Sequence, residues 1–228
     1  MAVGLPFALT VGSLAFLLGV IWGGPFVEIL RRLRIGKQIR IELPEGQQKK
    51  VGTPTMGGVL IVLPVVLVTL GLNIAKVIRA VTGPSILLPL FVLVTFSLLG
   101  MIDDWEGIQT SRGRRGEGLS GRVKFAAQVV LATIVAVIIS RYASFANQIS
   151  IPLIPFPIAI SPLIFIPITV FYIVGMSNAL NFTDGLDGLA GIISASAFAA
   201  YGVIAYLQGQ IFLVQLCFII VGACFAFL

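Results

Sequence analysis

The stretch PSILLPLFVLVTFSLLGMIDDWEG, residues 84–107, is a long apolar run that ends in two adjacent carboxylates, Asp103 and Asp104. A helix of about 20 apolar residues is long enough to cross the hydrocarbon core of a bilayer. Carboxylates next to a low-dielectric region are costly unless a cation or hydrogen-bond donors compensate them. The stretch therefore predicts a membrane-spanning helix with a group of functional acids at one end.

The composition extends this interpretation to the whole chain of 228 residues. Hydrophobic residues make up 58% and charged residues only 11%, whereas a soluble domain carries about 25% charged residues. We predict an all-α, polytopic helical bundle that forms one transmembrane domain over residues 1–228, because helices satisfy their own backbone hydrogen bonds in lipid. The predicted spans are 5–30, 56–75, 84–102, 123–140, 160–177, 188–207 and 210–228. Cys217 and Cys224 lie in the last run and are expected to be small buried apolar residues.

The charges predict an orientation. Twelve of the fifteen basic residues and all nine acidic residues fall in or beside three segments, about 31–55, 103–122 and 178–188. By the positive-inside rule these loops are cytoplasmic. Acidic residues contribute little to topology, so their bias has another cause, either pairing with nearby basic residues or a site for a charged ligand. The sequence has no aromatic-rich basic segment of the kind that binds nucleic acid.

Three polar clusters lie at these predicted cytoplasmic ends. KKVGTPTMGG, residues 49–58, offers lysines, hydroxyls and helix-start N–H groups to an anion, although it also reads as a plain helix start. GMIDDWEG, residues 100–107, offers carboxylates to Mg²⁺ or to a proton, or else pairs with the arginines that follow. GMSNALNFTDGLDG, residues 175–188, would place Asp184 and Asp187 on one helix face if it were helical, or else an aspartate caps the next helix. Together the clusters predict a site for a phosphorylated compound, with Mg²⁺.

These three motifs resemble those of the phospho-N-acetylmuramoyl-pentapeptide transferases, within the wider polyprenyl-phosphate N-acetylhexosamine-1-phosphate transferases. The resemblance covers the chain from about residue 20 onward. It implies transfer of a phospho-sugar peptide from UDP-N-acetylmuramoyl-pentapeptide to undecaprenyl phosphate, with Mg²⁺, at the cytoplasmic face of the bacterial plasma membrane. It also raises a homodimer as a hypothesis.

The resemblance assigns a role to each motif residue. Asp103 would act as base or positioning carboxylate, supported by Asp104. Asp184 would be catalytic, and it and Asp104 would lie near the metal. The implied substrate-binding residues are Lys50, Thr55, Arg122, Lys124, Asn181 and Asp187.

One departure from the family pattern is large. The family has about ten spans, a further aspartate on a later loop and a histidine-rich loop, whereas this chain has no histidine. We therefore expect an N-terminal portion of the transferase, without full activity by itself. Three alternatives stay open: a sister enzyme using another UDP-sugar, a transporter or channel, and a non-catalytic scaffold. The transporter is disfavoured because the deep parts of the spans lack acids.

Overall fold

The computed structural model describes residues 4–33, 55–78, 87–111, 119–143, 146–151 and 154–228, except for the side chains of 75–78 and 109–111. Lys50 lies outside these ranges. The described part contains seven helices and one short antiparallel hairpin. The helices are α1 (Gly4–Arg32), α2 (Val59–Ile78), α3 (Leu87–Ser111), α4 (Gly121–Tyr142), α5 (Pro162–Thr183), α6 (Leu189–Leu207) and α7 (Ile211–Phe227). Strands β1 (Gln148–Ile149) and β2 (Ile158–Ala159) form the hairpin between α4 and α5.

This architecture confirms the all-α, polytopic membrane class. In the described part, α1, α4, α5, α6 and the first 22 residues of α3 are long and apolar enough to cross a membrane. The apolar parts of α2 and α7 are shorter. Many large apolar side chains are exposed on these helices, as expected where lipid rather than water is the solvent.

Two helices run well beyond the ends that the sequence predicted. Helix α3 continues to Ser111, through the acids that were expected to open a loop, and α5 continues to Thr183. Polar residues after an apolar run do not stop a helix, because each added residue still gains one backbone hydrogen bond. Asp103 and Asp104 therefore lie inside a helix, two turns before its end.

The chain divides into two compact units, and the single-domain prediction stays a prediction. The first unit comprises Met1–Leu119 and Gly185–Leu228, and α7 lies at its centre against α1, α2 and α6. Its core includes Val65 of α2 and Ile219 of α7, both fully buried. Cys217 and Cys224 are buried and unbridged on α7, which confirms their expected apolar role.

The second unit, Ser120–Asp184, contains α4, the hairpin and α5. Helix α4 begins after Ser120, whose Oγ accepts the Val123 N–H at 3.4 Å. Helix α5 begins after Ser161 with Pro162 in its first turn, where the missing proline N–H costs nothing. At the hairpin end, Ser140 Oγ donates to Asn147 Oδ1 at 2.7 Å. The short hairpin makes α4 and α5 an antiparallel pair.

Candidate active site

Asp103 and Asp104 each accept a backbone hydrogen bond from a segment that leads into another helix. Asp104 Oδ2 accepts the Met56 N–H at 3.1 Å, and Asp103 Oδ1 accepts the Leu119 N–H at 3.2 Å. Both carboxylates are half-buried. A charged acceptor makes a stronger hydrogen bond than a neutral one. The two acids thus join the end of α3 to the residues before α2 and before α4, all within the first unit.

The residues before α2 form a strained turn beside Asp104. Met56 has a φ of 68°, a left-handed conformation that costs a non-glycine residue about 1–2 kcal/mol. The hydrogen bond to Asp104 offsets part of this cost. The turn is completed by Gly57 and Gly58, and the Val59 N–H donates to Met56 O at 3.2 Å. The structure therefore brings the first and second sequence motifs together.

Thr55 precedes this turn and contributes a buried side-chain hydroxyl. Its Oγ1 is buried and has no hydrogen-bond partner among the residues that the structure describes. Leaving such a group unsatisfied costs about 1–3 kcal/mol. A polar ligand group that reached Thr55 would remove this cost, which suits its predicted place in a substrate-binding site.

Arg122, Lys124, Asn181 and Asp184 belong to the second unit, where they lie at one end. Arg122 and Lys124 are in the first turn of α4, and Asn181 is in the last turn of α5. Because α4 and α5 are antiparallel neighbours, these ends coincide. The end combines two positive side chains with an exposed amide and an exposed carboxylate, a set of groups suited to phosphate and sugar contacts.

The turn between α5 and α6 corrects the expectation for Asp184 and Asp187. Helix α5 ends at Thr183 with Asp184 as its C-cap, so the two aspartates do not share a helix face. The N-cap of α6 is Gly188, in the left-handed conformation with φ 80°. An aspartate N-cap is therefore also wrong, and both carboxylates are exposed in the turn. Asp187 falls in the first unit and Asp184 in the second.

The sequence interpretation missed Gln128. This side chain is 3% exposed on α4 and hydrogen-bonds to Ser177 and Asn178 of α5. Its signal in the sequence was a long amide side chain inside an apolar run, one turn after Lys124. A polar residue at that depth needs a partner, and the partner is invisible until the two helices are paired.

The chemistry of the acids fits Mg²⁺, although they do not form a preassembled cage. No group of three or more His, Cys, Asp or Glu side chains comes together in the described ranges. Mg²⁺ usually takes only one or two protein carboxylates and completes its shell with water and substrate phosphates. Asp103 and Asp104, which belong to the first unit, offer carboxylate oxygens of the kind that it prefers.

These features define a class, the polytopic all-α membrane proteins, with carboxylates and basic residues at several helix ends. Sequence comparison narrows this class to a family. The profile of glycosyl transferase family 4 matches residues 86–228, and the chain belongs to that family. The first phospho-N-acetylmuramoyl-pentapeptide-transferase signature matches residues 50–62, which include Thr55 and the turn that binds Asp104.

Similar curated proteins carry one name. The chain is 41% identical over 225 residues to a phospho-N-acetylmuramoyl-pentapeptide-transferase of Chloroflexus aurantiacus, covering 97% of this chain and 59% of that protein. A Geobacillus protein of the same name is 39% identical over 94% of this chain and 64% of its own length. The chain thus spans about three fifths of the length of these relatives.

Proposed function

We propose that this chain is part of a phospho-N-acetylmuramoyl-pentapeptide transferase. Its reaction would join undecaprenyl phosphate to the phospho-sugar peptide of the UDP conjugate, giving lipid I and UMP. The observation that carries the proposal is the hydrogen bond from Met56 to Asp104, because it links the transferase signature at 50–62 to the acidic pair on α3.

In the proposed reaction, an oxygen of the lipid phosphate attacks the sugar-linked phosphorus of the UDP conjugate. A new P–O–P linkage forms, the bond to the UMP phosphate breaks, and UMP leaves with the electron pair. A phosphate monoester loses its second proton near pH 6, so Asp103 would accept the proton from the fraction that is still protonated and would position the dianion otherwise. Its bond to the Leu119 N–H fixes the carboxylate in place.

The remaining motif residues would bind and orient the two anionic substrates. Lys50, Arg122 and Lys124 would offset the repulsion between them, and Thr55 would donate its buried hydroxyl to a phosphate or nucleotide oxygen. Asn181, Asp184 and Asp187 would contact the nucleotide sugar. Mg²⁺, held by Asp104 and Asp184 in this proposal, would supply charge neutralisation to the phosphates.

The proposed location follows from the charges and from the chemistry of the substrates. The lipid carrier arrives from the bilayer and the nucleotide from water, so their common site must be at a membrane surface. The basic residues of the neighbouring loops support the cytoplasmic surface as the proposed location, by the positive-inside rule. A homodimer in the bacterial plasma membrane stays part of the proposal.

The test is UMP release from UDP-N-acetylmuramoyl-pentapeptide with undecaprenyl phosphate and Mg²⁺ in detergent. It is run on this chain and on the complete reading frame that contains it. Asp103→Asn or Asp184→Asn should lower kcat by about 100-fold or more, the range of a lost acid–base or positioning group. Glu106→Gln is the matched control, since Glu106 is an exposed acid on the same helix as Asp103.

Two outcomes would overturn the proposal. If the complete protein folds yet neither binds the UDP substrate nor releases UMP, the chain is not part of this transferase. If it prefers UDP-N-acetylglucosamine, it is a sister enzyme of the same wider group. Equal activity of Asp103→Asn and Glu106→Gln would remove the acid from the mechanism.

A further inference from the structure

Gln128 occupies a position that the proposed chemistry does not use. It lies on α4 within the second unit and is 3% exposed. Its Oε1 accepts from Asn178 Nδ2 at 2.8 Å, and its Nε2 donates to Ser177 Oγ at 3.4 Å. One buried side chain thus contacts two consecutive residues of the neighbouring helix.

A backbone carbonyl fixes the direction of these hydrogen bonds. Asn178 Nδ2 also donates to Val174 O at 2.8 Å, and a carbonyl can only accept. The amide nitrogen of Asn178 must therefore face Val174 and Gln128, because the reversed amide would place two oxygens together. Gln128 must in turn present Oε1 to Asn178 and Nε2 to Ser177. Both protons of Asn178 Nδ2 are used, which leaves its Oδ1 to face other groups.

The contact lies one turn from the candidate site residues on both helices. Lys124 precedes Gln128 by four residues on α4, and Asn181 follows Asn178 by three residues on α5. Residues at these separations are neighbours on a helix surface, about 5–6 Å apart. Any rotation of α5 against α4 at Gln128 would shift Asn181 relative to Lys124.

We propose that Gln128 is a positioning residue that sets the rotation of α5 against α4 and so aligns Asn181 with Lys124. This inference rests on the proposed function for its catalytic consequence. Hydrogen bonds between membrane helices average only about 0.6 kcal/mol, so the two hydrogen bonds of Gln128 contribute little to the stability of the α4–α5 pair. A directional hydrogen bond nevertheless selects one register of two helices whose apolar surfaces could pack in several. An apolar side chain of similar size cannot make this selection.

The test substitutes Gln128→Leu and Gln128→Glu in the complete protein, with Gln215→Leu as the control. Leu keeps the volume and removes both hydrogen bonds, whereas Glu keeps an acceptor for Asn178. Gln215 is 5% exposed on α7, so the control makes the same chemical change in the first unit. Unfolding is monitored with a thiol-reactive dye on the buried Cys217 and Cys224.

Gln128→Leu should lower the kcat of UMP release by about 10- to 100-fold, as expected for a misplacement of about 1 Å. Gln128→Glu keeps the acceptor for Asn178 and should therefore lose less kcat than Gln128→Leu. Gln215→Leu should change the unfolding temperature without a comparable loss of kcat. If Gln128→Leu does not accumulate, Gln128→Met replaces it. Equal losses for the Leu and Glu variants, or losses that simply follow the unfolding temperature, would overturn the proposal.

A second readout needs no activity. Cysteines placed at Lys124 and Asn181 should be joined by a short bismaleimide, and Gln128→Leu should lower the yield of this cross-link. An unchanged yield would show that Gln128 does not set the rotation. If the parent releases no UMP, the proposed function fails, and the cross-linking result still decides the positioning role.

Discussion

At the scale of single residues, the candidate site depends on a few backbone contacts. The pair of acids on α3 is held by the N–H groups of Met56 and Leu119. These bonds hold the carboxylates in place before a substrate arrives, which reduces the reorganisation needed during reaction. The left-handed Met56 shows that the same segment carries conformational cost, and the Thr55 hydroxyl beside it has no hydrogen-bond partner among the described residues. Such costs concentrate at functional sites.

Gly188 should be far less tolerant of substitution than Gly185, although both follow an aspartate. Gly188 has φ 80°, whereas Gly185 has no positive φ and nothing within 4 Å of an added Cβ. Gly188→Ala should therefore lower the free energy of unfolding by about 1–2 kcal/mol. Gly188→Asn should cost less, because asparagine tolerates this conformation.

Thermal unfolding in detergent measures the difference between the two glycines, with the reaction of a maleimide dye as readout. A shift of roughly 2–4 °C is expected for each kcal/mol in a protein of this size. Gly185→Ala serves as the control and should leave the midpoint unchanged. A larger effect at Gly185 than at Gly188 would contradict the backbone explanation.

At the scale of helices, the first unit depends on close approach of small residues. Gly12 of α1 and Gly222 of α7 bring the two backbones into contact, and Gly19 of α1 lies against Ala226 of α7. Buried Ala8 and Ala15 continue the same face of α1. Without a hydrophobic driving force in lipid, helices associate through such packing, so the small residues decide which face of α1 meets α7.

Gly222→Ala should separate α1 from α7, because the added methyl group would overlap the backbone oxygen of Gly12. Backbone cannot move aside as a flexible side chain can, and overpacking costs about 1–3 kcal/mol. The unfolding midpoint should fall accordingly. Gly71→Ala on α2 is the matched control, since an added Cβ there meets nothing within 4 Å. Equal midpoints for the two variants would exclude close packing as the reason for Gly222.

At the scale of the whole molecule, most charged residues are concentrated in three loop segments of the sequence, and stability alone does not require this concentration. Exposed ion pairs contribute only about 0–1 kcal/mol to the free energy of unfolding. Arg32 and Glu28 form such a pair at 3.0 Å, and both side chains are exposed. The segregation is better explained by orientation in the membrane and, in the proposed function, by the binding of anionic substrates.

The orientation predicts opposite labelling of two engineered cysteines. Glu106→Cys, on the exposed end of α3, should react with a membrane-impermeant maleimide only after the cells are permeabilised. Phe156→Cys, 64% exposed beside the hairpin, should react in intact cells. The parent protein controls for its two buried native cysteines. Labelling of Glu106→Cys from outside, with Phe156→Cys protected, would reverse the topology.

The sequence by itself determined the membrane class, the seven apolar helices and the residue types of the candidate site. These follow from local properties, since the length of an apolar run and the need to satisfy backbone groups in lipid are readable one segment at a time. The predicted positions of the helix ends were less accurate, as the observed ends at Ser111 and Thr183 show, because polar side chains are compatible with both helix and loop.

Only the tertiary structure decided which groups meet. The bond from Met56 to Asp104 joins residues 48 apart in the chain, and the bond from Asn178 to Gln128 joins residues 50 apart. The contact of Gly12 with Gly222 spans most of the sequence. Such pairings depend on how helices rotate and approach one another, and an almost uniformly apolar surface leaves rotation to a few small or polar side chains. Gln128 was therefore unrecognised in the sequence.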